Sequence, residues 1–380
     1  MAAAPLMALP VLFKEIADEL GLNPLQIGFI WGAGSATGMF ISVFGGSIGD
    51  RFGSKRTLVV ACLLAGITGV LPGLATDFLT LLSTVFLFGL VRPVIPINLH
   101  KTCAVWFPSS ELGLANGFVS TGMALGFLFG SLFSATLLSP ALGGWRHVIF
   151  FYAGLATVIS LLWLLTPPPP TTGPGTSRGS RPIPLREGLP YVVRLRPVWV
   201  LGVVILGYGA CVQGFLGYLP LYLRGIGWPA TSADGALATF HGVSLCAALP
   251  IAWLSDRLRT RRALLMLATG MLAAGVGLLP FVDESLIWGT VILAGLMRDG
   301  FMAIFMTTVM EVRGIGAAYA GTAIGFTMML GGIGRVVSPP LGNSLVGLGE
   351  QFPFLFWAMM ALLALVSLGF FPPTPFKERD

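Results

Sequence analysis

Stretches of about 20 residues with almost no charge recur along the whole chain, for example over 78–99, 197–222 and 286–310. Roughly 20 apolar residues is the length a helix needs to cross a bilayer. Of the 380 residues, 55% are hydrophobic and 10% charged. Soluble domains carry about 25% charged residues. A water-soluble globule could not hide so much apolar surface, so the solvent for most of this chain must be lipid. Eleven full runs lie over 25–48, 57–75, 78–105, 113–138, 147–166, 197–222, 235–255, 263–281, 286–310, 315–346 and 352–372. A short one covers 1–13, and Lys14, Glu15, Asp18 and Glu19 follow it. Thirteen residues at about 1.5 Å each fall short of about 30 Å of hydrocarbon. The expectation is an all-α membrane protein of twelve helices, the first of them truncated at its start.

A stretch of Pro, Gly, Ser and Thr over 166–184 (TPPPPTTGPGTSRGSRPIP) divides the chain. Such composition makes a flexible, partly extended linker. This gives a six-helix bundle over 1–166, a cytoplasmic linker over 167–196 and a second six-helix bundle over 197–380. With the linker inside, fifteen of the 22 Lys and Arg lie inside, three outside and four within runs. That bias puts both ends in the cytoplasm and explains the net charge of +6 as topology rather than nucleic-acid binding. The four cysteines, Cys62, Cys103, Cys211 and Cys246, show no paired spacing and read as small packing residues. No phosphate-binding loop, zinc spacing or nucleophile elbow is visible, so an enzyme, a cofactor and a metal are not expected.

The halves are related. Asp50-Arg51 recurs as Asp256-Arg257, Arg56 as Arg262 and Arg92 as Arg298, each after 206 residues. Ser139-Pro140-Ala141-Leu142-Gly143 is echoed by Ser338-Pro339-Pro340-Leu341-Gly342. Two parallel repeats with a substrate site at the midplane are a transporter pattern.

Residues 46–56 read GSIGDRFGSKR, with Gly46, Asp50, Arg51, Gly53 and Arg56 at the informative positions. The loop after the second run thereby resembles the signature loop of the major facilitator superfamily. The resemblance covers nearly the whole chain and implies two pseudo-symmetric six-helix bundles. It also implies that this loop latches the protein in its outward-facing state, with Asp50 as the latch. In the second copy Ala252 and Arg259 replace the glycines, which weakens the latch role of Asp256, Arg257 and Arg262.

Arginines inside the runs are the sharpest functional signal. A charge at a helix centre costs at least about 2.5–3.5 kcal/mol on insertion scales, so each should face a wet cavity or a partner. Arg92, Arg298 and Arg335 are candidate cationic clamps, because guanidinium holds carboxylate or phosphate in a bidentate manner. The resemblance implies that their helices line the cavity. Asp299 is a proton-coupling candidate, since ionisable residues within spans mark proton relays; His241 is another. Adjacent helical residues point in different directions, so Asp299 is expected to turn away from Arg298 and could neutralise Arg335. Lys101, beside His100, can snorkel to the interface. Tyr208, Gln213, Tyr218, Asn116, Ser120 and Thr121 could add hydrogen bonds. Gly122, Gly126 and Gly130 in the fifth run, and Gly321, Gly325, Gly331, Gly332 and Gly334 in the eleventh, are small residues that let helices approach closely.

The sequence therefore points to a monomeric secondary active transporter of the inner membrane, moving a small organic anion by alternating access coupled to protons. A branch for nitrate is disfavoured, because Ala115-Asn116-Gly117-Phe118 departs from the glycine–asparagine signature of those porters. The rival readings are proton-coupled efflux of drugs or metabolites, and a non-transporting membrane sensor on the same fold. Embedded arginines argue against cationic drugs, and no added soluble domain supports a sensor.

Overall fold

The computed structural model describes residues 3–108, 111–167, 185–258 and 260–371; for 39–40, 42–50, 185–186, 252, 256, 258 and 317–318 it describes the backbone alone. Every regular element among the described residues is helical. Ten helical segments are long and apolar enough to cross a membrane. Exposed Leu79, Leu114, Phe118, Leu137, Leu165 and Leu249 would be a liability in water and are ordinary against lipid.

One compact unit comprises Met1–Arg178 with Gly217–Ala238. It contains α1 (Ala4–Leu20), α2 (Pro24–Phe52), α3 (Ser54–Val70), α4 (Phe78–Val91), α5 (Val94–Trp106), α6 (Leu112–Phe133), α7 (Ser139–Leu142) and α8 (Trp145–Leu165). Helix α1 packs on α6, α2 on α4 and α5, and α3 on α8. The second unit comprises Gly179–Leu216 with Thr239–Asp380. It contains α9 (Leu185–Val193), most of α10 (Arg196–Gly225) and of α11 (Ala230–Leu258), α12 (Arg261–Leu278), α13 (Glu284–Gly295), α14 (Arg298–Met310), α15 (Gly316–Ser344) and α16 (Phe352–Gly369). There α12 packs on α13, α14 and α16, while α15 packs on α9, α14 and α16.

Several local features differ from the sequence reading. Helix α1 has 17 residues and does not end at residue 13. Its charged residues lie on the helix: Lys14 pairs with Asp18 one turn on, and Glu19 accepts from Trp145 Nε1 and Arg146 Nε of α8. Asn23 and Gln26 then form a reciprocal capping box, with Pro24 opening α2, so the next helix has a well-defined start. Helix α2 runs on to Phe52. Most of the signature loop is thus helical, and only Gly53, at φ 81°, makes the turn that a side chain would strain. Part of the expected linker is helical. Residues Leu185–Val193 form α9, where Tyr191 stacks on Tyr319 at 4.5 Å and donates to Gly314 O. Of the cysteines, Cys62, Cys103 and Cys211 are buried as packing residues should be, whereas Cys246 is exposed.

Two expected spans remain single apolar segments, but the helix within each is broken. Helix α4 stops at Val91 and α5 resumes at Val94, with Arg92 and Pro93 between. Proline has no N–H to give, and its ring collides with the carbonyl four residues back. The second break falls between Gly295 and Arg298, with Met297 at φ −105°, ψ 9°. The repeat-related arginines therefore both stand beside a helix break.

Candidate functional site

Helices α11, α14 and α15 carry the candidate clamp and proton-coupling residues of the second unit, His241, Arg298, Asp299 and Arg335. Arg298 opens α14, and its Nη1 lies 3.0 Å from Asp299 Oδ1. The sequence reading turned Asp299 away from Arg298 and toward Arg335; the structure pairs the neighbours instead. At the first turn of a helix no preceding turn confines the long arginine arm, so the guanidinium curls onto the adjacent carboxylate. The backbone N–H of Asp299, one of the donors that a helix start leaves without an intrahelical acceptor, donates to Ser244 Oγ of α11. His241, one turn earlier on α11, is 1% exposed. Three of the predicted residues thus come together: His241, Arg298 and Asp299.

Arg335 makes no ion pair with Asp299 among the described residues. It is half-buried on α15, and its stem passes over Gly209 of α10, whose Cβ, if present, would meet Arg335 Cγ at 3.4 Å. Among the described residues it has no hydrogen bond and no ion pair. A guanidinium inside a membrane helix is costly unless it meets a partner or a water-filled cavity. Arg92, half-buried at the end of α4, belongs to the first unit.

The latch candidates divide. The side chains of Asp50 and Asp256 lie outside the described residues, and Gly46 is a helical residue of α2. Arg56 is exposed. Arg51 lies over the ring of Phe52 and Arg257 over that of Trp253, at 5.5 and 5.2 Å. Arg262 Nη2 donates to Gly369 O at the end of α16. The sequence reading missed its counterpart, Lys55, whose Nζ donates to Leu164 O and Thr166 O at the end of α8. A cation is well placed there, because the last carbonyls of a helix carry partial negative charge. The signal available in the sequence was a lysine beside the motif; its target, 109 residues away, was not. Also missed were Ser244, Phe301 and the buried pair of Arg224 and Asp234, Nη2 to Oδ1 2.6 Å, which flanks a turn that reads as outer loop. Asn116, a weak candidate, bonds His100 at 2.8 Å.

Known proteins resemble this chain. The chain is 26% identical over 375 residues to a probable sulfoacetate transporter of Cupriavidus necator, covering 93% of this chain and 86% of that one. It is 30% identical over 178 residues to a probable galactarate/D-glucarate transporter of Escherichia coli (strain K12); that match spans 43% of this chain but only 38% of the relative. A solved structure of a mutant nucleoside transporter NupG superposes with a TM-score of 0.82 at 13% identity, covering 97% of this chain and 96% of that one. This likeness concerns the fold. The named relatives point to a transporter rather than an enzyme, and the apolar helices to a multi-pass membrane protein. Residues 1–339 match the family model described as Major Facilitator Superfamily, and the chain belongs to that family.

Proposed function

We propose that this protein is a secondary active transporter that moves a small organic carboxylate across the inner membrane by alternating access, coupled to protons. Arg335 carries the reading: a half-buried guanidinium in a membrane helix, with no internal counter-ion among the described residues, is a ready partner for an anion. Arg298 and Arg92 are the further clamps. The likeness to transporters named for sulfoacetate and for sugar acids supports a small acid as that anion.

Asp299 supplies a route to proton coupling. Ionised, it occupies Arg298 at 3.0 Å. Protonated, it releases the guanidinium to the substrate carboxylate, so proton and anion bind together. His241 beside Arg298 is the second proton-coupling candidate. Asp50, with Gly46, Arg51, Gly53 and Arg56, forms the conformational latch; Asp256, Arg257 and Arg262 are its weaker copy. The protein works as a monomer with both ends and the 167–196 linker between its two bundles in the cytoplasm.

Purified protein in liposomes, given an acidic outside, should take up labelled D-glucarate or sulfoacetate. Arg335→Ala should abolish uptake while the protein elutes and melts as the wild type does; Arg335→Lys, which keeps charge but loses the fork, should retain a fraction. Unchanged uptake by the alanine variant would overturn the clamp.

A further inference from the structure

Helix α10 meets the charged helices of the second unit with two successive residues that serve different neighbours. Gly209 lies under the apolar stem of Arg335 on α15. Tyr208 turns to α14, where its ring lies flat on Phe301, centroids 3.6 Å apart and planes inclined by 6°. Phe301 stacks in turn on Phe305. Tyr208 is 3% exposed, and the Phe301 ring it stacks on lies one turn after Arg298 on the same helix. Among the described residues that hydroxyl makes no hydrogen bond.

A buried tyrosine ordinarily finds a partner for its O–H, because an unmatched polar group in an apolar site is costly. A phenylalanine would stack on Phe301 equally well and carry no such cost. The hydroxyl is not one of the fully buried polar atoms left without a partner, so it stays open to a non-protein partner, and the stack on Phe301 holds the ring that carries it. What it faces is set by its neighbours. Arg298 takes a carboxylate, an acceptor only. A phenol both donates and accepts, as an alcohol does.

The geometry points to Tyr208 as a specificity-determining residue that reads a hydroxyl on the substrate carbon beside the carboxylate held by Arg298, making the substrate class hydroxy acids rather than plain carboxylates or sulfonates. This rests on the anion-transport reading above. A site built to bond a substrate hydroxyl rejects the analogue that lacks it far more strongly than an apolar pocket rejects a missing methylene. One buried hydrogen bond left unmade corresponds to roughly tenfold in affinity.

The test is calorimetric titration of the purified full-length protein, wild type and Tyr208→Phe, with two matched pairs: D-glucarate against adipate, and malate against succinate. Sulfoacetate is the fifth ligand. The wild type should bind the hydroxylated member of at least one pair about tenfold more tightly or better. Tyr208→Phe, which keeps the stack, should lose that margin and bind the plain acid as before. Equal losses for both members, or no change for either, would overturn the assignment while leaving the anion reading in place. So would binding of sulfoacetate or the plain acids alone. A wild-type protein that binds none of the five would overturn the anion reading and this inference with it.

Discussion

Asp234 is wholly buried, and its Oδ1 reaches Arg224 Nη2 at 2.6 Å, with the arginine 9% exposed. Its other oxygen, Oδ2, has no hydrogen-bond partner among the described residues. Taking two charges out of water is repaid only by each other, so losing one strands the second; breaking such a pair costs about 3–5 kcal/mol. Asp234→Ala should therefore lower the melting temperature in detergent markedly. Arg224→Met combined with Asp234→Leu should recover most of the loss, since an apolar pair of similar volume carries no desolvation cost. A double variant as unstable as the single one would show that the charges themselves are needed. Asp299 tests differently, because it is a third exposed and proposed to move a proton. Asp299→Asn should leave Arg298 permanently available, so acid uptake should persist but lose its response to the pH gradient; a gradient response like the wild type's would remove Asp299 from coupling. The sequence made Arg298 and Asp299 visible as charges inside an apolar run, but left Arg224 and Asp234 in the loop between two runs. It did not reveal their pairing, because partner choice depends on where a helix starts. Helix α11 begins at Ala230, which buries Asp234, and α14 begins at Arg298, which lets Arg298 fold back on its neighbour.

The glycine series on α6 separates packing from composition. A Cβ on Gly130 would lie 2.3 Å from Ala4 O, and one on Gly126 would lie 2.9 Å from Ala4's neighbour Ala3, whereas one on Gly122 meets nothing within 4 Å. Backbone cannot yield as a flexible side chain can. Gly130→Ala should thus cost about 1–3 kcal/mol as an overpacked contact, read as a lower melting temperature, while Gly122→Ala should be neutral. Equal effects at the two sites would mean that α1 does not lie against α6 as described. The same close approach recurs on α15, where a Cβ on Gly334 would stand 2.3 Å from Leu206 O of α10, while Gly321 and Gly325 face open space. Spacing in the sequence announces that a helix can be approached closely. Which glycine is used depends on the neighbour's position, which spacing does not contain. The breaks at Arg92-Pro93 and before Arg298 were half legible for the same reason: Pro93 marks the first, and no comparable residue marks the second.

At the scale of the whole chain, the 206-residue repeat reappears as a repeated structural tie. Lys55, at the start of α3, caps the end of α8, and Arg262, at the start of α12, donates to the end of α16. Within each unit four apolar segments lie between the helix end that precedes the tie and the helix end that receives it: 54–74, 78–106, 112–142 and 145–165 in the first, 261–281, 284–310, 319–348 and 352–369 in the second. An even number of crossings returns the chain to the face it left, so each tie closes on one side of its own bundle. The sequence contained the repeat but not these contacts, because Lys55 falls one residue out of register with Arg262. Both ties lie in segments rich in Lys and Arg, and fifteen of the 22 such residues fall on the side assigned to the cytoplasm. Since short basic loops resist translocation, a fluorescent protein fused after Asp380 should fold and fluoresce in the bacterial cytoplasm. Alkaline phosphatase inserted at Gly143-Gly144, a turn in which both residues take positive φ, should be active on the other side of the membrane. The reverse pair of signals would invert the orientation and place the basic ties, the 167–196 linker and the proposed Asp50 latch on the outer face.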